Sequence, residues 1–465
     1  MSRPRLLALL SAVLLYFTVS LHPVWWVAWI APLPLLYGAF QTTRREAGWL
    51  AFGAAALGYC SNAHYYWVTA DRSVLVAVLL IVLQAFAWYG VVRFAHRAVT
   101  RERRWYSVLA YPVAWAALDT IIGFASPHGS AGSLAYSQGD FLPVLQITSV
   151  AGLPGVVFLI GLPASVIAVL LQYRDVSWRT WAPAVAMFAI ALTWGALRVS
   201  RGDARTLGTV RVGLASIDDF VSRRVPQAEA DRVWNRYLQM VEELAQQKAQ
   251  LILLPEKIED FKTPERAQEK LAALGEAARR HHVYVAAGMS VPKDGRMYNR
   301  LMIWNPEGSE LGSYDKMHLV PGLESYLTPG VTAKTARVEN ASYGLGICKD
   351  FHFPSFGRMY SLEGVDAVLD PAWDFGEDAW IAARLSAVRG IEGGFSMVRS
   401  SREGLMTVTD RFGRIAGETW SKPGNGSTLL VDFAMAPANP TFYGRYGDVF
   451  GWLMVAAAIA LRFWA

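Results

Sequence analysis

The amino-acid sequence predicts a multi-helix transmembrane bundle of about eight helices that is joined to an α/β domain. Three observations lead to this fold class. Of the 465 residues, 53% are hydrophobic and only 18% are charged, whereas soluble domains carry about 25% charged residues. Seven apolar runs precede residue 200, and an eighth lies near the end of the chain. From about residue 208, short β-branched runs alternate with charged amphipathic stretches.

The apolar runs have lengths near those of membrane spans, since crossing a bilayer takes about 20 residues, with a range of about 17–25. They cover 6–21, 24–40, 47–70, 73–92, 105–123, roughly 145–173, 180–197 and 449–461. The first and last runs are short, and the sixth is expected to begin as a re-entrant or surface piece. We therefore expect a seven-helix transmembrane domain over 1–200 and a final transmembrane helix over 446–465.

The placement of arginine predicts the orientation of these spans. If the N-terminus is cytoplasmic, the loops on its side hold Arg44–Arg45, the cluster Arg97–Arg104, and Arg174 with Arg179. The opposite loops hold only Arg72. Cytoplasmic loops carry the excess of Lys and Arg, so the α/β domain is expected outside the cytoplasm. Core helices of a large soluble protein, the alternative reading of these runs, would not alternate with charge in this register.

The formal net charge of +6 does not indicate nucleic-acid binding. Twelve arginines against three acidic residues flank the apolar runs, so these flanks carry +9 and the rest of the chain carries −3. No basic, aromatic-interleaved face remains for a phosphate backbone. The two cysteines are Cys60, within an apolar run, and Cys348, at the end of a strand-like run. Their number and spacing predict neither a structural disulfide nor a metal site.

The stretch over 205–440 alternates strand and helix patterns, which favours a layered α/β domain. The predicted strands are Val210–Ser216, Leu251–Leu254, Val283–Gly288 and Tyr343–Cys348, and the predicted helices are Ala228–Lys248, a helix from Thr263 to about His281, and Pro354–Glu363. Thr263-Pro264-Glu265 has the pattern of an N-cap, an N1 proline and a first-turn acid. A turn signal at Asn305–Gly308 predicts a hairpin between Met302–Trp304 and Leu311–Tyr314.

Three side chains of complementary chemistry follow strand-like runs of this domain: Glu256, Lys316 and Cys348. Ligands collect outside the carboxyl ends of strands in α/β sheets. Glu256 is suited to take the proton of the Cys348 thiol, and Lys316 with a backbone N–H is suited to stabilise an oxyanion. Each residue alone is a weak indication. A strand-end Glu or a Lys before an apolar stretch is more often a surface residue, and a buried Cys is more often a core residue.

The order and context of Glu256, Lys316 and Cys348 resemble the Glu-Lys-Cys triad of the nitrilase, or carbon–nitrogen hydrolase, superfamily. Within it, nearly the whole chain resembles the apolipoprotein N-acyltransferase family, which has seven membrane helices, a nitrilase domain and one final helix. Further segments that are similar to this family are Tyr136-Ser137-Gln138 with Gly152, Gly155 and Phe158, then His318-Leu319-Val320-Pro321 with Glu324, and Tyr443–Asp448.

The resemblance implies an extracytoplasmic, nitrilase-like αββα sandwich with a ping-pong mechanism. Glu256 would be the base, Lys316 the oxyanion donor, Cys348 the nucleophile and Glu324 an assisting carboxylate. An acyl chain would pass from a phospholipid, through a thioester on Cys348, to the N-terminal amine of a diacylglyceryl-cysteine lipoprotein. No metal or other cofactor and no nucleic acid is implied. A monomer would suffice, located in the bacterial cytoplasmic (inner) membrane as a multi-pass protein.

Three segments depart from the family's pattern. Lys349-Asp350 replaces the usual Tyr-Glu, Asp370–Asp374 replaces Ser-Asn-Asp-Ala-Trp, and Ser401–Gly404 replaces Thr-Asn-x-Gly. The stretch between Glu324 and Cys348 is also shorter. The triad is unaffected, but the predicted substrate pocket changes, with Lys349, Asp350 and Trp373 as candidate assisting or substrate-binding residues. Two alternatives stay open: a divergent membrane acyltransferase or amidase with another amine or amide substrate, and a non-catalytic lipid- or lipoprotein-binding relative.

Overall fold

The structure, a computed structural model, describes residues 2–102, 105–173, 175–202, 205–219 and 225–464. Arg103, Arg104 and Arg174, which contribute to the predicted charge pattern, lie outside the described residues. The chain divides into two compact units. One comprises 1–201 with 446–465, and the other comprises 202–445.

The first unit is helical. Its helices before the second unit are α1 (Arg3–Thr18), α2 (Pro32–Ala39), α3 (Arg44–Tyr59), α4 (Val74–Glu102), α5 (Ala110–Ala125), α6 (Leu142–Leu145), α7 (Thr148–Gln172) and α8 (Trp178–Arg201). Among the described residues, four helical stretches are long and apolar enough to cross a membrane. They are Val74–Arg101, Tyr106–Ala125, Thr148–Gln172 and Trp178–Arg201, and a shorter apolar helix follows at Val449–Arg462.

The second predicted run, 24–40, is not one helix. A 3-10 turn at Trp25–Trp29 comes first, and α2 begins only at Pro32. Proline lacks an N–H and clashes with the preceding turn, so a helix begins at Pro32 more readily than it passes through it. The helix α1 has 16 residues, short of the roughly 20 that a span needs. The topology of about eight crossings therefore stays a prediction.

The sixth predicted run, roughly 145–173, contains a kink. Gly152, in α7, has φ 63° and ψ −170°, which interrupts the helix just before Pro154. The segment 126–140, which precedes this run, includes a 3-10 turn at Leu134–Gln138. Gln138 is fully buried, and its side chain accepts from the indole N–H of Trp29 at 2.6 Å. This segment is thus a packed part of the helical unit.

The second unit contains two six-stranded sheets and their covering helices. Its strands are β1 (Gly208–Ser216), β2 (Leu251–Leu253), β3 (Tyr284–Lys293), β4 (Arg296–Trp304), β5 (Glu310–Asp315), β6 (Lys334–Val338), β7 (Ala341–Leu345), β8 (Ala367–Trp373), β9 (Ser396–Arg402), β10 (Leu405–Thr409), β11 (Ile415–Trp420) and β12 (Ser427–Met435). Its helices are α9 (Gln227–Gln246), α10 (Pro264–His281), α11 (Pro354–Glu363), α12 (Ala379–Gly393) and α13 (Phe442–Tyr446). The last helix of the chain, α14 (Val449–Trp464), belongs to the first unit.

The sheets have the orders β12-β1-β2-β3-β4-β5 and β11-β10-β9-β8-β7-β6. They face each other through contacts of β1 with β9 and of β3 with β8, while α9 and α10 cover one sheet and α12 covers the other. This is the predicted αββα sandwich. The central strands β1–β2–β3 and β7–β8–β9 are parallel. Because parallel strands end at one edge of a sheet, the residues that follow them are brought together.

The predicted helices and hairpin of this unit are confirmed. The helix ends shift by at most two residues, and the first hairpin strand begins at Arg296, six residues before the predicted Met302. Thr263 caps α10, since its hydroxyl oxygen accepts from the N–H of Arg266 at 3.3 Å, and Pro264 is the first helical residue. The hairpin forms between β4 and β5. Apolar faces of α9 and α10 pack on the first sheet through fully buried side chains such as Trp234, Leu274 and Ile252. This core fixes the position of the strand ends.

Candidate active site

Glu256 lies in the loop that follows β2, at the edge where the parallel strands end. Its backbone N–H donates to the carbonyl oxygen of Ala372 at 3.3 Å, so this loop is joined to the end of β8 in the opposite sheet. A Cβ atom on Gly288 would come within 2.8 Å of the Cα of Glu256. The close approach of β3 therefore requires glycine at that position, and it fixes the backbone that carries the Glu256 carboxylate.

A buried cluster of charged and amide side chains surrounds Glu256. The Nζ of Lys316 lies 2.8 Å from Oε1 of Glu256 and 3.0 Å from Oε2 of Glu324. The Nζ of Lys257 lies 2.7 Å from Oε1 of Glu324. The amide nitrogen of Asn299 donates to Oε1 of Glu256 at 2.5 Å and to Oε1 of Glu324 at 2.8 Å. Two carboxylates and two ammonium groups therefore compensate each other around one shared amide.

Charge interactions shift the pKa values of Lys316 and Glu324 in opposite directions. Burial alone would lower the pKa of Lys316, but the carboxylates of Glu256 and Glu324 outweigh it and raise that pKa well above its ordinary value. Burial acts to raise the pKa of Glu324, but Lys316 and Lys257 hold it well below its usual range. Lys316 is therefore a cation at neutral pH. A fixed, dehydrated cation is suited to stabilise a developing oxyanion.

Cys348 begins a 3-10 turn that follows β7. It has φ 46°, in the left-handed region that non-glycine residues seldom adopt. Its N–H donates to Oδ1 of Asp370 at 2.8 Å, and its Sγ lies 3.7 Å from the carbonyl oxygen of Trp373. Burial raises the pKa of the thiol well above its ordinary value, and the charge of Glu256 raises it further, against the opposing effect of Lys316. The resting thiol is thus protonated and needs a base, and Glu256 is the carboxylate with the largest effect on it.

A second buried network lies on the Asp370 side of the nucleophile. Oδ2 of Asp370 accepts from the hydroxyl of Ser386 at 2.8 Å and lies 3.2 Å from Nε of Arg399. Arg399 also donates twice to Asp374, at 2.6 and 3.1 Å. Burial raises the pKa of Asp370 to about 7, although Arg399 opposes this effect. The backbone of the nucleophile is therefore anchored by a carboxyl group that titrates near neutral pH.

Two family models match separate parts of the chain. The apolipoprotein N-acyltransferase N-terminal domain matches residues 11–166, and carbon-nitrogen hydrolase matches residues 214–431. An apolipoprotein N-acyltransferase of Geobacter metallireducens is 25% identical over 98% of this chain and 94% of its own. Another, of Bradyrhizobium diazoefficiens, is 26% identical over 75% of this chain and 72% of its own. The chain belongs to the apolipoprotein N-acyltransferase family.

Relatives outside the apolipoprotein N-acyltransferase family match a smaller part of the chain. A nitrilase of Pyrococcus abyssi is 31% identical over 31% of this chain and 60% of its own. A solved mutant of the Nesterenkonia AN1 amidase from the nitrilase superfamily has a TM-score of 0.42 and 20% identity, and covers 56% of this chain and 98% of its own. As an apolipoprotein N-acyltransferase family member, the chain is an acyltransferase and a membrane-associated bacterial protein with a nitrilase-like α/β domain.

The assisting residues that the sequence predicts for this family member occupy different environments. Glu324 is part of the cluster around Glu256. Lys349 is buried, and its Nζ donates to the carbonyl oxygen of Leu319 at 3.0 Å. Asp350 is fully buried, and its carboxylate accepts from the N–H of His318 at 2.8 Å and from the Tyr314 hydroxyl at 2.7 Å. Its contacts fix the backbone next to Lys316, and its role in assisting catalysis or binding substrate stays a prediction.

Trp373, the remaining predicted residue, is held by two residues of the segment that departs from the family pattern. The guanidinium of Arg402 lies 4.0 Å from the centre of a Trp373 ring, and the indole N–H donates to Glu403 at 3.1 Å. Arg402 also donates to the carbonyl oxygens of Lys257 and Asp219, at 3.2 and 2.8 Å. It therefore connects the loop of Glu256 with the tryptophan beside the thiol. The role of Trp373 in an acyl pocket stays a prediction.

Sequence reasoning missed Lys257, Asn299, Asp370 and Arg399. A signal for two of them was present, because Asn299 and Arg399 interrupt strands that are otherwise largely buried. Polar residues are depleted in strand interiors, and a buried one needs a hydrogen-bonding partner. A charged or amide side chain within a buried strand of an α/β domain is therefore a candidate site residue.

Proposed function

We propose that this protein transfers an acyl chain from a phospholipid to the N-terminal amine of a diacylglyceryl-cysteine lipoprotein, through a thioester on Cys348. The observation that carries the proposal is the buried ion pair of Glu256 and Lys316, whose charges are the two with the largest effects on the Cys348 thiol. The family membership of the whole chain supports the lipoprotein as acceptor. Both lipid substrates lie in a bilayer, which agrees with the membrane association of this protein.

In the first half of the proposed reaction, Glu256 removes the Cys348 proton and the thiolate attacks the ester carbonyl carbon of the phospholipid. Lys316 and the backbone N–H of Lys349 stabilise the oxyanion of the tetrahedral intermediate. Collapse breaks the carbon–oxygen bond of the ester. Glu256 returns its proton to the departing lysophospholipid alkoxide, which leaves an acyl thioester on Cys348 and an ionised Glu256.

In the second half, the neutral α-amine of the lipoprotein attacks the thioester carbonyl. Glu256 accepts a proton from the attacking nitrogen, and the same two donors stabilise the second oxyanion. Collapse breaks the carbon–sulfur bond, and the thiolate recovers its proton from Glu256. The product is an amide-linked, triacylated lipoprotein, and the enzyme returns to its starting state.

The proposal includes location and assembly. The charge pattern of the predicted loops favours a multi-pass protein of the bacterial inner membrane, with the αββα domain on the extracytoplasmic side. The outer face of that bilayer would supply the phospholipid donor. One chain carries all the side chains of the proposed mechanism, so a monomer suffices.

A second candidate function is a membrane amidase or acyltransferase that uses another amine or amide. Two observations favour it. A relative that is named nitrilase is 31% identical over 31% of this chain, and this chain has Lys349, Asp374 and Arg402 where the family pattern differs. In that case the Glu256, Lys316 and Cys348 chemistry is kept and only the acyl acceptor or the leaving group changes.

The test is N-acylation of a synthetic diacylated lipopeptide by the purified protein in phospholipid micelles. Mass spectrometry should show the gain of one acyl chain on the peptide amine, and Cys348→Ala should abolish it. Cys60→Ala is the matched control, because Cys60 is the other cysteine and lies in the helical unit. A folded protein that forms the thioester without transfer would redirect the proposal to another acceptor. A folded protein that forms no thioester would favour a binding function.

A further inference from the structure

Lys349, the residue after the nucleophile, has a buried ammonium group with little compensation from the protein. The side chain is 3% exposed. Its Nζ donates to the carbonyl oxygen of Leu319 at 3.0 Å, and no carboxylate of the described residues lies within ion-pair distance of it. An ammonium group has three N–H donors. Within the described part of the chain, two of them therefore have no acceptor.

The other two buried lysines of the site are compensated differently. Lys257 lies 2.7 Å from Glu324, and Lys316 lies 2.8 Å from Glu256. Glu324 and Glu256 therefore already form ion pairs with other lysines. Burial, followed by repulsion from Lys316, lowers the pKa of Lys349 to about 8. A buried cation without a directly paired carboxylate is unfavourable, and burial and Lys316 outweigh the distant charges of Glu324 and Asp350, so the site around Lys349 favours the arrival of an anion.

The nearest acid in sequence does not supply that counter-charge. Both carboxylate oxygens of Asp350 are occupied by other donors. One oxygen accepts from the N–H of His318 at 2.8 Å, and the other accepts from the Tyr314 hydroxyl at 2.7 Å and from the N–H of Ile347 at 3.1 Å. Asp350 thus stabilises the turn after the nucleophile. Its charge and that of Glu324 act on the Lys349 ammonium only from a distance, and neither carboxylate forms an ion pair with it among the described residues.

We propose that Lys349 forms an anion-binding subsite beside Cys348, which holds the phosphate group of the glycerophospholipid donor while its ester reacts. This inference rests on the proposed function and names the part of the donor that the site recognises. Lysine binds phosphate as a point charge. The glycerol backbone separates the ester carbonyl from the phosphate by a few bonds, which is comparable with the length of the lysine side chain. An amide substrate with a carboxylate would offer the same anionic chemistry.

The test compares two donors that share their acyl chains. A phosphatidylglycerol and the corresponding diacylglycerol are supplied in neutral detergent micelles, and acylation of Cys348 is followed by mass spectrometry. The wild-type protein should be acylated by the phospholipid faster by about tenfold, the effect of one charge-assisted hydrogen bond. Lys349→Met should lose this preference through slower reaction with the phospholipid alone. Lys349→Arg, which keeps the charge, should retain part of the preference.

Comparison of donors separates binding of the anion from a structural role. Alkylation of Cys348 by neutral iodoacetamide checks that each variant keeps an intact site. Equal losses with both donors, or an unchanged preference in Lys349→Met, would overturn the subsite while thioester formation still supports the proposed function. If no lipid acylates the wild-type protein, the proposed function fails, and hydrolysis of succinamic acid is then compared with hydrolysis of butyramide. Selective loss of the succinamic acid reaction in Lys349→Met supports a carboxylate at the subsite, and any other result overturns it.

Discussion

The Asp370 side chain helps to hold the backbone of Cys348 in an unfavourable conformation. A non-glycine residue in the left-handed region costs about 1–3 kcal/mol when the surroundings impose it. The N–H of Cys348 donates to Asp370 at 2.8 Å, and Ser386 and Arg399 orient the Asp370 carboxyl group. This turn leaves the following N–H, that of Lys349, without a partner among the described residues. That N–H is therefore available for the oxyanion of the proposed mechanism.

We predict that Asp370→Asn removes a pH dependence from the stability of the protein. Burial raises the pKa of Asp370 to about 7 from an ordinary value of 3.8. Between those two pH values the folded state binds the proton and the unfolded state does not, so stability falls as the pH rises towards 7. The free energy of unfolding of the wild type, relative to the variant, should fall by about 2–3 kcal/mol between pH 5 and pH 8.

Guanidinium titrations of the two purified proteins in detergent at both pH values provide the measurement. Asp366→Asn is the matched control. Asp366 accepts from the N–H groups of Ser342 and Ala438 and has no contact with Cys348. A pH-independent difference between the wild type and Asp370→Asn would mean that Asp370 does not titrate in this range.

Sequence context predicts the three candidate catalytic residues better than the residues that support them. Glu256 and Cys348 follow strands that the hydrophobic pattern indicates, and Lys316 follows a strand that the turn signal at Asn305–Gly308 indicates. Asp370 and Arg399 lie on β8 and β9, and they reach Cys348 only through the register of neighbouring strands. A single sequence does not specify that register.

At the scale of elements, the turn between β9 and β10 is packed against the network of Arg399 and Asp374. A Cβ atom on Gly404 would lie 2.1 Å from Oδ2 of Asp374 and 2.5 Å from the Ser401 hydroxyl oxygen. Both contacts are shorter than van der Waals separation allows. The turn therefore requires a glycine because the buried carboxylate occupies the space.

We predict that Gly404→Ala displaces Asp374 from Arg399 and lowers the free energy of unfolding by about 1–3 kcal/mol, as overpacking of a buried site does. The reaction of Cys348 with iodoacetamide should slow, because Arg399 also contacts Asp370. Guanidinium unfolding and alkylation rates measure the two effects. Gly312→Ala in β5 is the control, since the nearest atom to its new Cβ would be 3.9 Å away. Equal behaviour of both variants would contradict the packing argument.

The elements of the α/β unit were more predictable than those of the helical unit. The α10 helix carries its own start signal, because Thr263 and Pro264 act within one turn. Hydropathy averages over the whole second apolar run, so it does not reveal the division of that run into a 3-10 turn and a short helix. Pro32 and Pro34 were the residues in the sequence that indicated an interruption of this run.

At the scale of the whole molecule, the distribution of arginine between the loops on the two sides of the predicted spans predicts their orientation in the membrane. The loop at Arg44–Arg45 is expected in the cytoplasm and the αββα unit outside it, because basic loops stay on the cytoplasmic side. Chemical labelling of cysteines on the two sides of the membrane tests this prediction. Gln41 and Ser309 are both exposed within their own units. A cysteine at either position should therefore react with an impermeant labelling reagent only from the side of the membrane on which it lies.

We predict that Ser309→Cys reacts with a membrane-impermeant maleimide in intact spheroplasts, while Gln41→Cys reacts only after the membrane is permeabilised. Both variants are made in a background of Cys60→Ala and Cys348→Ala, which removes the native thiols. Each variant should be fully labelled after permeabilisation, which controls for burial. Labelling of Gln41→Cys before Ser309→Cys would invert the topology and place the candidate active site in the cytoplasm. Lipoproteins that are modified on the outer face would then be excluded as acceptors, and the amidase alternative would become the better explanation of the same three side chains.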